Sequence, residues 1–115
     1  MRKLITDEQR AQLIANGTAH SLGQDFDPLP VVKLFTPDAH AIWLLTELSS
    51  IDDDTVFGLL DLGLGMPELA TARLSDLETI RGPLNQPIQR DLHFIPRRTF
   101  SEYARLAQED GSIND

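Results

Sequence analysis

The chain has 115 residues, of which 41% are apolar and none is cysteine, and its formal net charge is -8. That length holds one domain with one core, the apolar share argues against general disorder, and the lack of cysteine excludes a disulfide scaffold, thiol catalysis and Cys-ligated zinc. The acidic balance speaks against wrapping nucleic acid, which needs clustered Lys and Arg, and no apolar run reaches the ~20 residues that span a bilayer. The start, MRKLITDEQR, has no apolar core after its two bases, so no secretory signal is expected and the cytoplasm is the expected compartment.

Residues 6–16 predict a first helix, with Thr6 as cap, Gln9 at the capping-box position and Gly17 as the stop. Residues 17–30, punctuated by Gly23, Pro28 and Pro30, predict a loop. The periodicity then turns to β type. Residues 31–35 form a first strand closed by the turn Thr36-Pro37-Asp38-Ala39, residues 42–48 a second, residues 56–62 a third and residues 68–74 a fourth. Ser75 is placed to cap a short helix with Glu78 three residues on, ending at Arg81-Gly82-Pro83. Residues 89–94 suggest a short fifth strand. Thr99 or Ser101 opens a last helix that Gly111 closes. The expected fold class is therefore α+β, a single domain over 1–115 with an antiparallel meander of four or five strands and the helices on one face.

Pairing Leu44 with Leu60, Ile42 with Leu62 and Leu48 with Val56 puts six apolar side chains on one face, the floor for the helices. The opposite face then carries Trp43, Leu45, Glu47, Phe57, Leu59 and Asp61. If the next hairpin pairs Asp61 with Ala70, Glu68 joins that face.

Charge is distributed unevenly. Between Lys33 and Arg73 there is no base, but there are seven acids: Asp38, Glu47, Asp52, Asp53, Asp54, Asp61 and Glu68. Asp38 and the Asp52–Asp54 run fall in turns, and the run lacks the alternating spacing and terminal Glu of an EF-hand. Glu47, Asp61 and Glu68 fall on the sheet beside Trp43 and Phe57, which suggests a protein-binding face with aromatic anchors. Solvated sheet acids are the plain alternative for the carboxylates. The aromatic pair would be silent if the last helix or the 17–30 loop covers it.

Chemistry has fewer footholds. Asp61, Glu68 and Asp91 could split their pKa values or hold a hard cation if they converge, and His93 beside Asp91 could act as a base or simply close the sheet. His20, His40 and His93 have no metal-ligand spacing. Gly63-Leu64-Gly65 lacks the third glycine and the Lys-Ser/Thr of a phosphate loop, and no serine sits at a nucleophile elbow. No metal or other cofactor is expected.

Val31-Val32-Lys33-Leu34-Phe35-Thr36-Pro37, Trp43-Leu44-Leu45-Thr46-Glu47-Leu48 and Phe57-Gly58-Leu59-Leu60-Asp61-Leu62-Gly63-Leu64-Gly65 resemble a known bacterial family, the "domain of unknown function 2958" family. Pro67-Glu68-Leu69, Arg90-Asp91-Leu92-His93-Phe94 and Ser101-Glu102-Tyr103 extend the resemblance over nearly the whole chain. The family's pattern has Gly after Pro-Glu-Leu, where this chain has Ala70. The resemblance implies a small bacterial protein, often carried on plasmids and other mobile elements, with no established activity. The polar positions map to Lys33, Glu47, Asp61, Glu68, Arg90 and Asp91, without an assigned role.

Three functional readings follow. The leading one is a non-enzymatic interaction protein of a mobile element, whose binding residues would be Trp43, Glu47, Phe57, Asp61, Glu68 and Arg90. One form of it is a counter-defence inhibitor whose carboxylates mimic DNA phosphates. The second is a small carboxylate-based or metal-dependent hydrolase using Asp61, Glu68, Asp91 and His93. The third is an accessory DNA-transfer or replication protein touching nucleic acid through Arg90, Arg97 and Arg98, although the chain is poor in the interleaved aromatic and basic residues such binding favours. The expected partner is a protein, with no nucleic acid or membrane, and the oligomeric state is open.

Overall fold

A computed structural model of the chain describes residues 4–115. The expectation about the chain start falls partly on residues 1–3, outside the described residues. The first helix, α1 (Asp7–Ser21), opens on the predicted capping box: the Gln9 amide donates to Thr6 Oγ1 at 3.0 Å, and the Thr6 amide donates to Gln9 Oε1 at 2.9 Å. It does not stop at Gly17. That glycine lies where α1 presses on the second strand, and a Cβ there would stand 2.8 Å from the Leu48 carbonyl oxygen. Its missing side chain serves close approach rather than termination.

The remaining elements are β1 (Val32–Phe35), β2 (Ile42–Leu48), β3 (Thr55–Asp61), β4 (Glu68–Arg73), α2 (Leu74–Leu77), β5 (Gln89–Arg90) and α3 (Phe100–Asp110). The five strands form one antiparallel sheet in the order β4-β3-β2-β1-β5. The α+β architecture and the antiparallel meander are as the sequence predicts. β5 is shorter than expected because Asp91 turns the chain: its Oδ1 accepts the His93 amide at 2.8 Å. At α2, Ser75 is not the cap but the second helical residue, and its amide and hydroxyl both donate to Asp54.

The register holds at one end and slips at the other. Leu48 faces Val56 as predicted, but Trp43 faces Leu60, Leu44 faces Leu59 and Ile42 faces Asp61. A β-bulge between Leu45 and Glu47 inserts Thr46 as an extra residue, and every side chain before it changes faces. The carbonyl left over at Thr46 is taken by the Asn16 side-chain amide of α1, at 2.9 Å. Opposite the bulge stands Gly58, where a Cβ would lie 2.1 Å from the Leu44 carbonyl oxygen.

The sheet is consequently covered on both faces, not one. Val32, Leu34, Trp43, Leu45, Leu48 and Val56 pack in one core cluster with Leu13 of α1 and with Leu74 and Leu77. Leu44 and Leu59, with Ile42 and Phe57 beside them, pack on the other face with Phe100, Tyr103 and Ala107 of α3 and with Ile113. The predicted six-residue floor is thus split: Leu48, Val56 and Leu60 face α1, whereas Ile42 and Leu44 face α3. α3 is capped from outside its own sequence. Thr99 makes no side-chain cap bond, whereas Asp27 of the loop after α1 accepts both the Ser101 amide and its hydroxyl. Gly111 ends α3 in the left-handed region at φ 75°, as expected.

Candidate interaction surface

The residues expected to form one working face are dispersed. Trp43 is buried at 9% exposure on the α1 side, because the bulge rotates it away from Glu47, Phe57 and Asp61. Phe57 keeps its predicted side but is covered by α3, its ring centroid 5.7 Å from that of Phe100 in a tilted contact. Glu68 pairs with Leu60, not with Gly63, which puts it on the α1 side of the sheet, away from Asp61. Arg90 lies at the far edge and donates to the Leu4 carbonyl at 3.2 Å.

Nor do the four residues of the hydrolase reading converge. Asp61 is on β3 and Asp91 follows β5, with β2 and β1 between them. Three strand spacings make about 14 Å, beyond the reach of a working carboxylate pair. Asp61 is 4% exposed and its oxygens accept the amides of Gly63 at 2.8 Å and Ile113 at 2.9 Å. Asp91 faces Lys33 at 3.5 Å, and the same ammonium binds Asp115 at 2.7 Å. His93 is exposed. Among the described residues no group of three or more His, Asp or Glu could hold a metal ion, and no helix is long and apolar enough to cross a membrane.

Most of the acids of the base-free stretch are engaged inside the molecule. Asp38 Oδ2 accepts the amides of Leu84 and Gln86 at 2.7 and 3.3 Å, tying the turn after β1 to the loop after α2. Asp53 meets Arg10 at 2.7 Å. Asp54 receives Ser75 and the Arg73 guanidinium. Asp52 accepts the Thr55 hydroxyl, the Thr55 amide and the Asp54 amide, and these bonds hold its carboxyl well below its ordinary value of 3.8, at about 2. Glu47 is taken by His20, whose Nδ1 lies 3.0 and 3.1 Å from the two carboxylate oxygens. That pair lines an open pocket of about 410 Å³ with Ser49, Ser50, Ile51 and Phe57. A helix ending at residue 16, as the sequence predicts, leaves His20 in a loop; the extension of α1 to Ser21 is what brings it to Glu47.

The β3–β4 hairpin gathers several exposed apolar side chains in one short segment. In its turn, residues 62–67, Leu62 is 50%, Leu64 74% and Met66 78% exposed, and Leu69 on β4 is 50% exposed. Gly63 and Gly65 allow this turn through φ of 79° and 80°. β4 is also an edge strand. The signal was present in the sequence: a turn that spends three large apolar residues where polar ones are usual is atypical.

The profile of the family described as "Protein of unknown function (DUF2958)" matches residues 4–114. The chain belongs to the DUF2958 family. Among characterised proteins, this DUF2958 chain is similar to Elongation factor 4 of Dehalococcoides mccartyi, strains BAV1 and CBDB1. Each is 32% identical over 113 residues, covering 91% of this chain. The chain spans only 18% of the length of these relatives. No solved structure matches it.

Proposed function

We propose that this DUF2958 protein is an interaction module that binds a protein partner along the open edge of β4 and the apolar turn beside it. The observation that carries this reading is an edge strand whose middle is unprotected: residues 69–72 include no charge, no Pro and no bulge, next to Leu62, Leu64 and Met66 in the open. Natural sheets usually blunt such edges, since a row of free N–H and C=O groups pairs with any strand that reaches it. The opposite edge, β5, is only two residues long. A protein partner and Glu68 as a contact agree with the expectation from sequence, while the other contacts lie on the hairpin.

A photo-crosslinking amino acid at Leu64 or at Thr71, compared with one at Thr18 on α1, tests it in the native host. Adducts specific to the hairpin positions are expected, those at Leu64 being lost on Thr71→Pro. Equal adducts at all three sites, or adducts indifferent to Thr71→Pro, reject the reading.

A second reading has its own observation, the His20–Glu47 pair in its pocket. A carboxylate that holds one imidazole nitrogen leaves the other free to serve as a base toward a small molecule. A ligand screen by NMR on the wild type and His20→Ala tests this; hits that do not shift the amides of residues 47–51 and 55–57 count against it.

A further inference from the structure

The partner of the β4 edge can be named from the strand itself, and this step rests on the edge reading just given. The Leu74 amide donates to the Asp54 carbonyl at 2.8 Å, which marks residues 54 and 74 as a hydrogen-bonded pair of the β3–β4 ladder. Antiparallel ladders alternate bonded and non-bonded pairs. In the observed register, Gly58 with Ala70 and Leu60 with Glu68, the even-numbered residues of β4 are therefore spent on β3. Leu69 and Thr71 point their amides and carbonyls outward, and Arg73 its amide, whereas the Arg73 carbonyl belongs to the first turn of α2, which Arg73 caps.

These three residues are evenly spaced about Thr71. Rotating a second copy by 180° about that residue sets Thr71 against Thr71, and Leu69 against Arg73 in both directions. Every outward residue then meets an outward residue, and four bonds form across the seam: two between the Thr71 residues and one from each Arg73 amide to the opposing Leu69 carbonyl. Moving the register by one residue pairs outward groups with inward ones and bonds nothing. Moving it by two toward the turn brings Pro67, which has no amide hydrogen, opposite Arg73. Moving it by two the other way runs into α2 at Ser75. The strand is thus complementary to itself in one register above all others.

The side chains agree. On the α1 side the pairing brings Ala70 and Ala72 against Ala72 and Ala70 of the second copy, small enough to lie flush. At the axis it makes a Thr–Thr cross-strand pair, a favourable combination, and beside it Leu69 meets the aliphatic stem of Arg73. We infer that the β4 edge binds a second copy of this chain, joining two five-stranded sheets into one continuous sheet around a two-fold axis at Thr71.

The charge of the whole chain gives this occupant a distinctive sign. Two copies, each of net charge -8, repel through solvent, so added salt strengthens their association, whereas binding of a basic foreign strand weakens with salt. Sedimentation equilibrium of the full chain over a wide concentration range, at low and high salt, tests the proposal. The expected result is a monomer–dimer equilibrium that tightens with salt. Thr71→Pro, which removes one outward amide per copy and none that β3 uses, lowers the association constant about tenfold or more. Thr71→Lys places a charge at the axis and does the same, with thermal melts of both variants reporting that the monomer stays folded. A monomer at all concentrations, or a dimer indifferent to both variants, overturns the proposal. If the chain is monomeric but its hairpin crosslinks persist and still depend on Thr71, the edge reading stands and its occupant is a foreign strand.

Discussion

Gly58 lies directly beneath the bulge of β2, its Cα so close to the Leu44 carbonyl that a Cβ would stand 2.1 Å from that oxygen. Neither partner can yield cheaply, because the obstacle is backbone in the centre of the sheet. Gly58→Ala should therefore destabilise by about 1–3 kcal/mol, as overpacking does, although alanine is the better strand residue. Urea unfolding monitored by circular dichroism checks this. Gly17→Ala meets the Leu48 carbonyl at 2.8 Å, but helix propensity returns about 0.5–1 kcal/mol of the strain, so its loss should be the smaller of the two.

Asn16 should matter more than an average helix residue. It is 2% exposed, and its side-chain amide is the partner of the Thr46 carbonyl that the bulge removes from the ladder. Asn16→Leu leaves that carbonyl buried and unpaired, with an expected cost of about 1–3 kcal/mol. Hydrogen exchange gives a sharper check: protection should fall at residues 45–47 before it falls in β3.

Asp61→Ala should release the segment after α3. Two backbone amides lose their acceptor, that of Ile113 in a buried setting and that of Gly63 in a half-buried one, and about 1–3 kcal/mol of stability goes with them. The Ile113 amide should exchange far faster in the variant, while that of Tyr103 holds. An Ile113 amide equally protected in both proteins contradicts this account.

The cap of α3 should prove to be remote. Asp27→Ala is expected to cost about 0.5–2 kcal/mol, the ordinary value of an N-cap, and Thr99→Ala distinctly less, since Thr99 makes no cap bond to its own helix. Thermal melts of the two variants side by side decide it.

Acid should loosen the β2–β3 loop. Asp52 is lowered from 3.8 to about 2, first by the Thr55 hydroxyl and then by backbone amides, and Asp54 is lowered by Ser75. A carboxyl with a depressed folded value stabilises the fold fully above its unfolded value and loses that contribution as pH falls through the folded one. Stability should thus decline from the 3.8 of the free group toward about 2, and Asp52→Asn should be flatter over that window. Parallel decline of wild type and variant in melts taken across the range would be the contrary result.

The strands, the capping box of α1 and the Gly111 stop were legible because each rests on local chemistry. The partition of side chains between faces was not, because one extra residue at Thr46 inverts it for residues 42–45 and leaves no local trace. The run Ile42-Trp43-Leu44-Leu45 does hold a hint. Four apolar residues in succession indicate a strand buried on both faces, not one with a wet side. The acids misled for a different reason. Sequence shows where carboxylates are dense, but their partners are backbone amides, and every residue has one of those. Glu68 is the member of the predicted carboxylate face that stays exposed, and it borders the surface to which the function is now assigned.

The internal carboxylate ties also bear on the order of folding. Asp53 to Arg10 spans 43 residues, Asp38 to Leu84 spans 46, Asp61 to Ile113 spans 52 and Asp27 to Ser101 spans 74. Each closes a long loop around a sheet whose neighbouring strands are joined by short turns, and loop-closure entropy delays such contacts until the sheet exists. Ties made after the transition state act on the rate of unfolding and hardly on the rate of folding. The acidity of this chain thus works as a set of late latches, and replacing these aspartates by alanine should open the folded protein sooner without slowing its formation.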